Sequence, residues 1–116
     1  MDEITRLQAD VLKVLASPLR LEILHLLADG PLEVSGIAAA IGATQPHASQ
    51  QLSVLRTAGL VEADRVGREI RYGLADRDVI VACDVMRGVL QRRLARLARL
   101  ATDQPIRPTI QLGRSM

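Results

Sequence analysis

Between residues 44 and 57 the chain collects side chains suited to touching a polyanion: TQPHASQQLSVLRT. If this stretch is helical, Ala48, Leu52 and Leu55 form one apolar stripe. Pro46, Gln50, Ser53 and Thr57 then face away from it, with Ser49 and Val54 beside them and Gln45 and His47 in the first turn. Gln can make paired hydrogen bonds to adenine, Ser and Thr meet base edges or phosphates, and first-turn amides can bind a phosphate oxygen. The same residues would also serve as an ordinary solvated helix face, so the pattern needs a scaffold before it acquires meaning.

A second cluster follows in DRVGREIR, residues 64 to 71, where Gly67 lies between Arg65 and Arg68 with Arg71 beyond them. A glycine permits a tight turn from which guanidinium groups project, and such groups hold phosphates or enter a narrow minor groove. Ion pairs with Asp64 and Glu69 are the competing use of these arginines.

Other chemistry is sparse. Cys83 is the single cysteine, so no disulfide forms within the chain. On a helix it falls among Val79, Ala82 and Met86 as a small apolar residue, or as a thiol at a dimer axis open to oxidation or a soft ligand. His25 lies on an apolar helix, where a hydrogen-bonded position at the core edge suits it better than a ligand role. No Gly-rich phosphate loop, Cys-His pair or Ser-His-Asp set is present, and no enzyme activity is expected.

The elements that must position these groups are mostly helical. Ile4, Leu7, Val11, Val14 and Leu15 recur at steps of three and four, predicting an opening helix that ends at Ser17-Pro18. Ser17 caps a second helix that buries Leu21, Ile23, Leu24, Leu26 and Leu27 up to Asp29-Gly30. A short third helix, from about Val34 to Ile41, stops at Gly42, and Thr44 caps the fourth. Leu60 to Val66 and Arg68 to Leu74 flank Gly67 as a hairpin, with Ile70, Tyr72 and Leu74 on its inner face. Asp76 then caps a long helix whose seam is Val79, Cys83, Met86, Leu90, Leu94, Leu97 and Ala101. The expected fold is mainly α with a small β-hairpin, a winged helix-turn-helix over residues 1–102, followed by an irregular tail over 103–116.

Composition agrees with one domain that completes its core by pairing. Apolar residues make up 48% of 116 residues, but Phe and Trp are absent and Tyr72 is the only aromatic. A homodimer is expected, joined through Leu7, Val11, Val79, Cys83, Met86, Leu90, Leu94 and Leu97. Three basic and six acidic residues lie in 1–43, against seven basic and one acidic from 87 onward, a distribution that suggests an anionic partner. No apolar run approaches the roughly 18 to 20 residues of a membrane span, and the N-terminus is acidic, so a cytoplasmic location is expected.

SPLRLEILHLLADG, ATQPHASQQLSVLRTAGLV and GREIRYGLAD together make the chain, from about Val11 to Ala101, resemble the ArsR/SmtB family of bacterial winged-helix repressors. The resemblance implies a dimer bound to a near-palindromic double-stranded DNA operator and released by an inducer, with contacts from Thr44, Gln45, His47, Ser49 and Gln50. The residues of the helix face and hairpin add Ser53, Arg65, Arg68 and Arg71. The pattern departs from the family at its sensing sites. LEVSGIAAAIG lacks the thiol pair of the soft-metal sensors, and the last helix leaves Asp76, Asp78 and Asp84 without histidines, so neither metal nor cofactor is expected. The competing function is a winged-helix protein-interaction module without DNA binding, which would expose an apolar patch where this chain offers only Val54.

Overall fold

The computed structural model describes residues 1–103, so the expected tail lies outside the described residues apart from Asp103, which is helical. Helix α1 spans Glu3–Leu15; Asp2 caps it by accepting the Thr5 N–H through Oδ1 at 2.7 Å. Helix α2, Pro18–Leu27, starts as its sequence requires: the Ser17 hydroxyl accepts the Arg20 N–H, and Pro18 occupies the first turn. It ends at Leu27, two residues before Asp29. Strand β1, Leu32–Glu33, leads directly into α3, Val34–Ile41.

Gly42 terminates α3 in the left-handed conformation at φ 69, and the Ala43 N–H donates back to the Ala38 carbonyl at 2.9 Å. The turn aims the chain into α4, Gln45–Thr57, where the Thr44 hydroxyl accepts the His47 N–H at 3.2 Å. Strands β2, Val61–Val66, and β3, Glu69–Leu74, pair antiparallel around Gly67-Arg68, with Gly67 at φ 66.

The sheet has three strands in the order β1-β3-β2, one more than the hairpin expected from sequence. Leu32 pairs with Tyr72 and Glu33 with Arg71. Two residues next to a proline carry no visible alternation, so this strand is specified by its distant partner and not by its own sequence.

Ile23, Leu24, Leu27, Ile37, Leu52, Leu55, Leu60, Val61 and Ile80 form the core, with Ala38 and Ala48 also buried. Full burial of each large aliphatic side chain contributes about 1.5–3 kcal/mol. Leu21 and Leu26, expected in the core, are only half-buried. Val11 and Val79, expected at the dimer contact, are partly buried against this core within one copy. On the hairpin, Tyr72 and Leu74 are half-buried as expected. Ile70 is exposed because the strands outrun the core beneath them.

Met1–Val81 form one compact unit and a second begins at Ala82, inside the last helix α5, Asp78–Asp103. The Asp78 N–H donates to Asp76 Oδ1 at 2.9 Å, the capping contact its sequence predicts. On α5 the seam residues Met86, Leu90, Leu94 and Leu97 are 46–67% exposed.

Candidate nucleic-acid interface

Helix α4 is held by its apolar stripe, since Ala48, Leu52 and Leu55 are fully buried. That anchoring fixes the opposite surface. Thr44, Gln45, His47, Ser49, Gln50 and Ser53 are all exposed, as their spacing predicts. The arrangement can present amide and hydroxyl groups to base edges along the first two turns.

The first turn offers less to an anion than a bare helix start. Thr44 Oγ1 takes the His47 N–H, the Thr44 carbonyl takes the Ala48 N–H at 2.9 Å, and Pro46 has no N–H. The Gln45 amide is left as the first-turn donor for a phosphate oxygen.

The second half of α4 differs from the first. Ser53, Val54, Thr57 and Ala58 form one wall of a groove of about 500 Å³ whose other wall is Leu7, Asp10, Val11 and Val14 of α1. Ser53 and Thr57, both exposed, therefore border α1 as well as solvent. Sequence periodicity on α4 alone could not show this, because the neighbour comes from another helix.

Residue identity also missed a contact behind α4. Arg20 of α2 donates from Nε to the Val14 carbonyl at 2.7 Å and from Nη1 to Gln51 Oε1 at 2.9 Å. Adjacent glutamines thus diverge: Gln50 faces outward, and Gln51 turns toward the scaffold. The one available signal was an arginine in the first turn of α2, where the helix dipole disfavours a cation.

The three wing arginines have different surroundings. Arg65 and Arg68 are exposed at the tip. Arg71 pairs in register with Glu33 and Asp64, and its Nη2 lies 3.9 Å from Glu69 Oε1. A hydrogen bond with Glu69 raises the Glu33 carboxyl above its ordinary range, helped by desolvation and the Glu69 charge, while Arg71 lowers it. Arg71 is therefore balanced by carboxylates, and its charge is less available to phosphate than those of Arg65 and Arg68.

The pattern of a family described as bacterial regulatory protein, arsR family, matches residues 17–63, from the α2 cap into β2. The crystal structure of Rv0081 from Mycobacterium tuberculosis superposes with a TM-score of 0.76 at 35% identity, covering 84% of this chain and 99% of that one. The chain belongs to the ArsR family. NmtR, an HTH-type transcriptional regulator of M. tuberculosis, is 50% identical over 76 residues, 66% of this ArsR-family chain and 63% of NmtR, so the match spans under two thirds of that relative. Mb0332 from Mycobacterium bovis, described as a homodimeric winged helix-turn-helix DNA-binding domain, has a TM-score of 0.72 at 38% identity, covering 78% of this chain and 84% of that one. The winged helix-turn-helix architecture expected from sequence is thus the family's own.

This ArsR-family chain has no group of three or more His, Cys, Asp or Glu that could hold a metal ion among the described residues. His25 Nδ1 lies 2.9 Å from the Leu21 carbonyl, the hydrogen-bonded core-edge position expected for it. Cys83 is half-buried, and desolvation, assisted by the Asp84 charge, pushes its thiol above the ordinary value. No described helix is long and apolar enough to cross a membrane.

Proposed function

We propose that two copies of this chain act as a transcriptional repressor in the cytoplasm, bound without cofactor or metal to a near-palindromic DNA operator and released by an inducer. The observation that carries this reading is the exposed polar half-helix Gln45–Gln50, anchored from behind by the buried Ala48, Leu52 and Leu55. Gln45, His47, Ser49 and Gln50 meet base edges or neighbouring phosphates, and Thr44 sets the helix start. Arg65 and Arg68 grip the backbone, with Ser53 and Arg71 at the margin.

Dimerisation is supported by the apolar surface left open on two helices. Leu7 on α1 is 51% exposed, and the α5 seam from Cys83 to Leu97 is largely uncovered in one copy. A single chain rarely keeps such a stripe in water. The family membership and the homodimeric description of Mb0332 support the same arrangement. Nothing in the site is arranged for catalysis, and we assign no enzymatic activity.

Fluorescence anisotropy with duplex DNA from upstream of the chain's own gene tests the reading. Binding is expected to be tighter than to random duplex and to weaken steeply with salt, because counterions released from the phosphates gain less free energy in more concentrated salt. Equal affinity for both duplexes, or none at low salt, overturns it.

A further inference from the structure

We propose that Arg20 is a positioning residue for DNA reading: its side chain ties the end of α1 to Gln51 in the middle of α4 and so sets the rotation of the reading helix. The inference rests on the DNA-binding reading above and adds the residue that fixes its geometry.

Arg20 stands in the first turn of α2, where it is half-buried and its backbone N–H is held by the Ser17 hydroxyl at 3.3 Å. No acidic residue occupies that turn, and a cation there opposes the helix dipole. Its side chain leaves the turn and finds two acceptors on other helices. One is the Val14 carbonyl at 2.7 Å, in the last turn of α1, where helix carbonyls lack partners within the helix and a cation is favoured. The other is Gln51 Oε1 at 2.9 Å. A guanidinium donates in a fixed planar fork, so the two bonds together constrain Gln51 relative to α1 in a way a lysine cannot reproduce.

That constraint matters because the rest of the α4 anchor is apolar. Ala48, Leu52 and Leu55 fix which face of the helix is buried, but apolar contact is non-directional and leaves small rotations about the helix axis less constrained than a hydrogen bond does. Gln51 lies on the flank of the same helix, next to the outward Gln50. A directional bond to it fixes where Gln50, Ser49 and His47 point, and base-edge contacts depend on such aim. Because Val14 and Leu7 share a helix, the bridge also joins the surface proposed for dimerisation to the surface proposed for reading.

The test measures operator and random-duplex affinity side by side for the native chain, Arg20→Met, Arg20→Lys, Gln51→Met and the double variant Arg20→Met/Gln51→Met, with a thermal melt of each. The expected result is a loss on the order of tenfold in the operator-to-random ratio for each Met variant, random-duplex binding being nearly unchanged, as for one lost directional bond. The double variant should lose no more than Arg20→Met alone, and Arg20→Lys should recover little of the ratio. A Gln51→Met loss without an Arg20→Met loss would mean that Gln51 touches DNA directly, and unchanged or additive ratios would likewise overturn the assignment. Should Arg20→Met fail to fold, Gln51→Met with Arg20→Lys decides: equal losses support the bridge, unequal losses refute it. A native chain that does not prefer its operator rejects the DNA-binding reading itself. The bridge is then checked by amide exchange, where Gln51→Met should speed exchange in α4, and unchanged rates would reject it.

Discussion

At the scale of single residues, the proposed site would divide groups that read sequence from groups that hold phosphate. Gln50 projects from the anchored half of α4 with a side chain able to satisfy adenine. Gln50→Ala should cost about 1–3 kcal/mol on the operator and little on random duplex. Arg68 lies in the turn at the wing tip, outside the β2–β3 pairs, and is exposed, so Arg68→Ala should weaken binding to every duplex and lower the salt slope by about one. Parallel titrations on both duplexes separate the two roles, and identical patterns would contradict the division. Cys83 gives a prediction of its own. Its folded pKa is raised above the ordinary 9.0, so the neutral thiol's contribution to stability is complete below that value and lost as pH rises through the folded pKa. Thiol labelling at pH 8 should therefore be slower in the native chain than in denaturant, and equal rates would contradict the raised thiol.

At the scale of elements, the turn between α3 and α4 is the joint on which the site depends. Gly42 has φ 69, and a Cβ there meets no neighbouring atom, so the obstacle to substitution is backbone conformation and not space. Gly42→Ala should destabilise the fold by about 1 kcal/mol, read as a lower melting temperature. Leu52→Ala removes a fully buried anchor of α4 and should cost about 2–5 kcal/mol by denaturant titration. These elements were legible because each helix carries its own start signal and stripe. Ser17, Thr44 and Asp76 all accept the bonds their positions imply, and Gly42 and Gly67 take the turns. What sequence did not show was set by partners distant along the chain. Strand β1 exists because Tyr72 and Arg71 pair with it, Ser53 borders α1, and Gln51 turns inward to meet Arg20. The α5 seam illustrates both sides. Its steps from Val79 to Leu90 repeat from Leu90 to Ala101 at a period of 11, which holds one face of a nearly straight helix. The period says nothing of Val79, which packs into the core of its own copy.

At the scale of the molecule, α1 and α5 each leave an apolar surface open in one copy, and the polar surface of α4 with the wing tip is the one proposed to meet DNA. A dimer built on the first surface presents two of the second, which is why operator symmetry is expected. Leu94→Asp places a charge in the exposed seam and should shift sedimentation from dimer to monomer, with the circular dichroism of the helices largely kept. A native chain that sediments as a monomer at micromolar concentration would contradict the pairing. The most direct test of the whole account is a hydroxyl-radical footprint of the native chain on DNA upstream of its own gene. Two protected half-sites related by a near dyad and centred about one or two duplex turns apart are predicted. A single unsymmetrical patch, or uniform protection without a sequence preference, would contradict it.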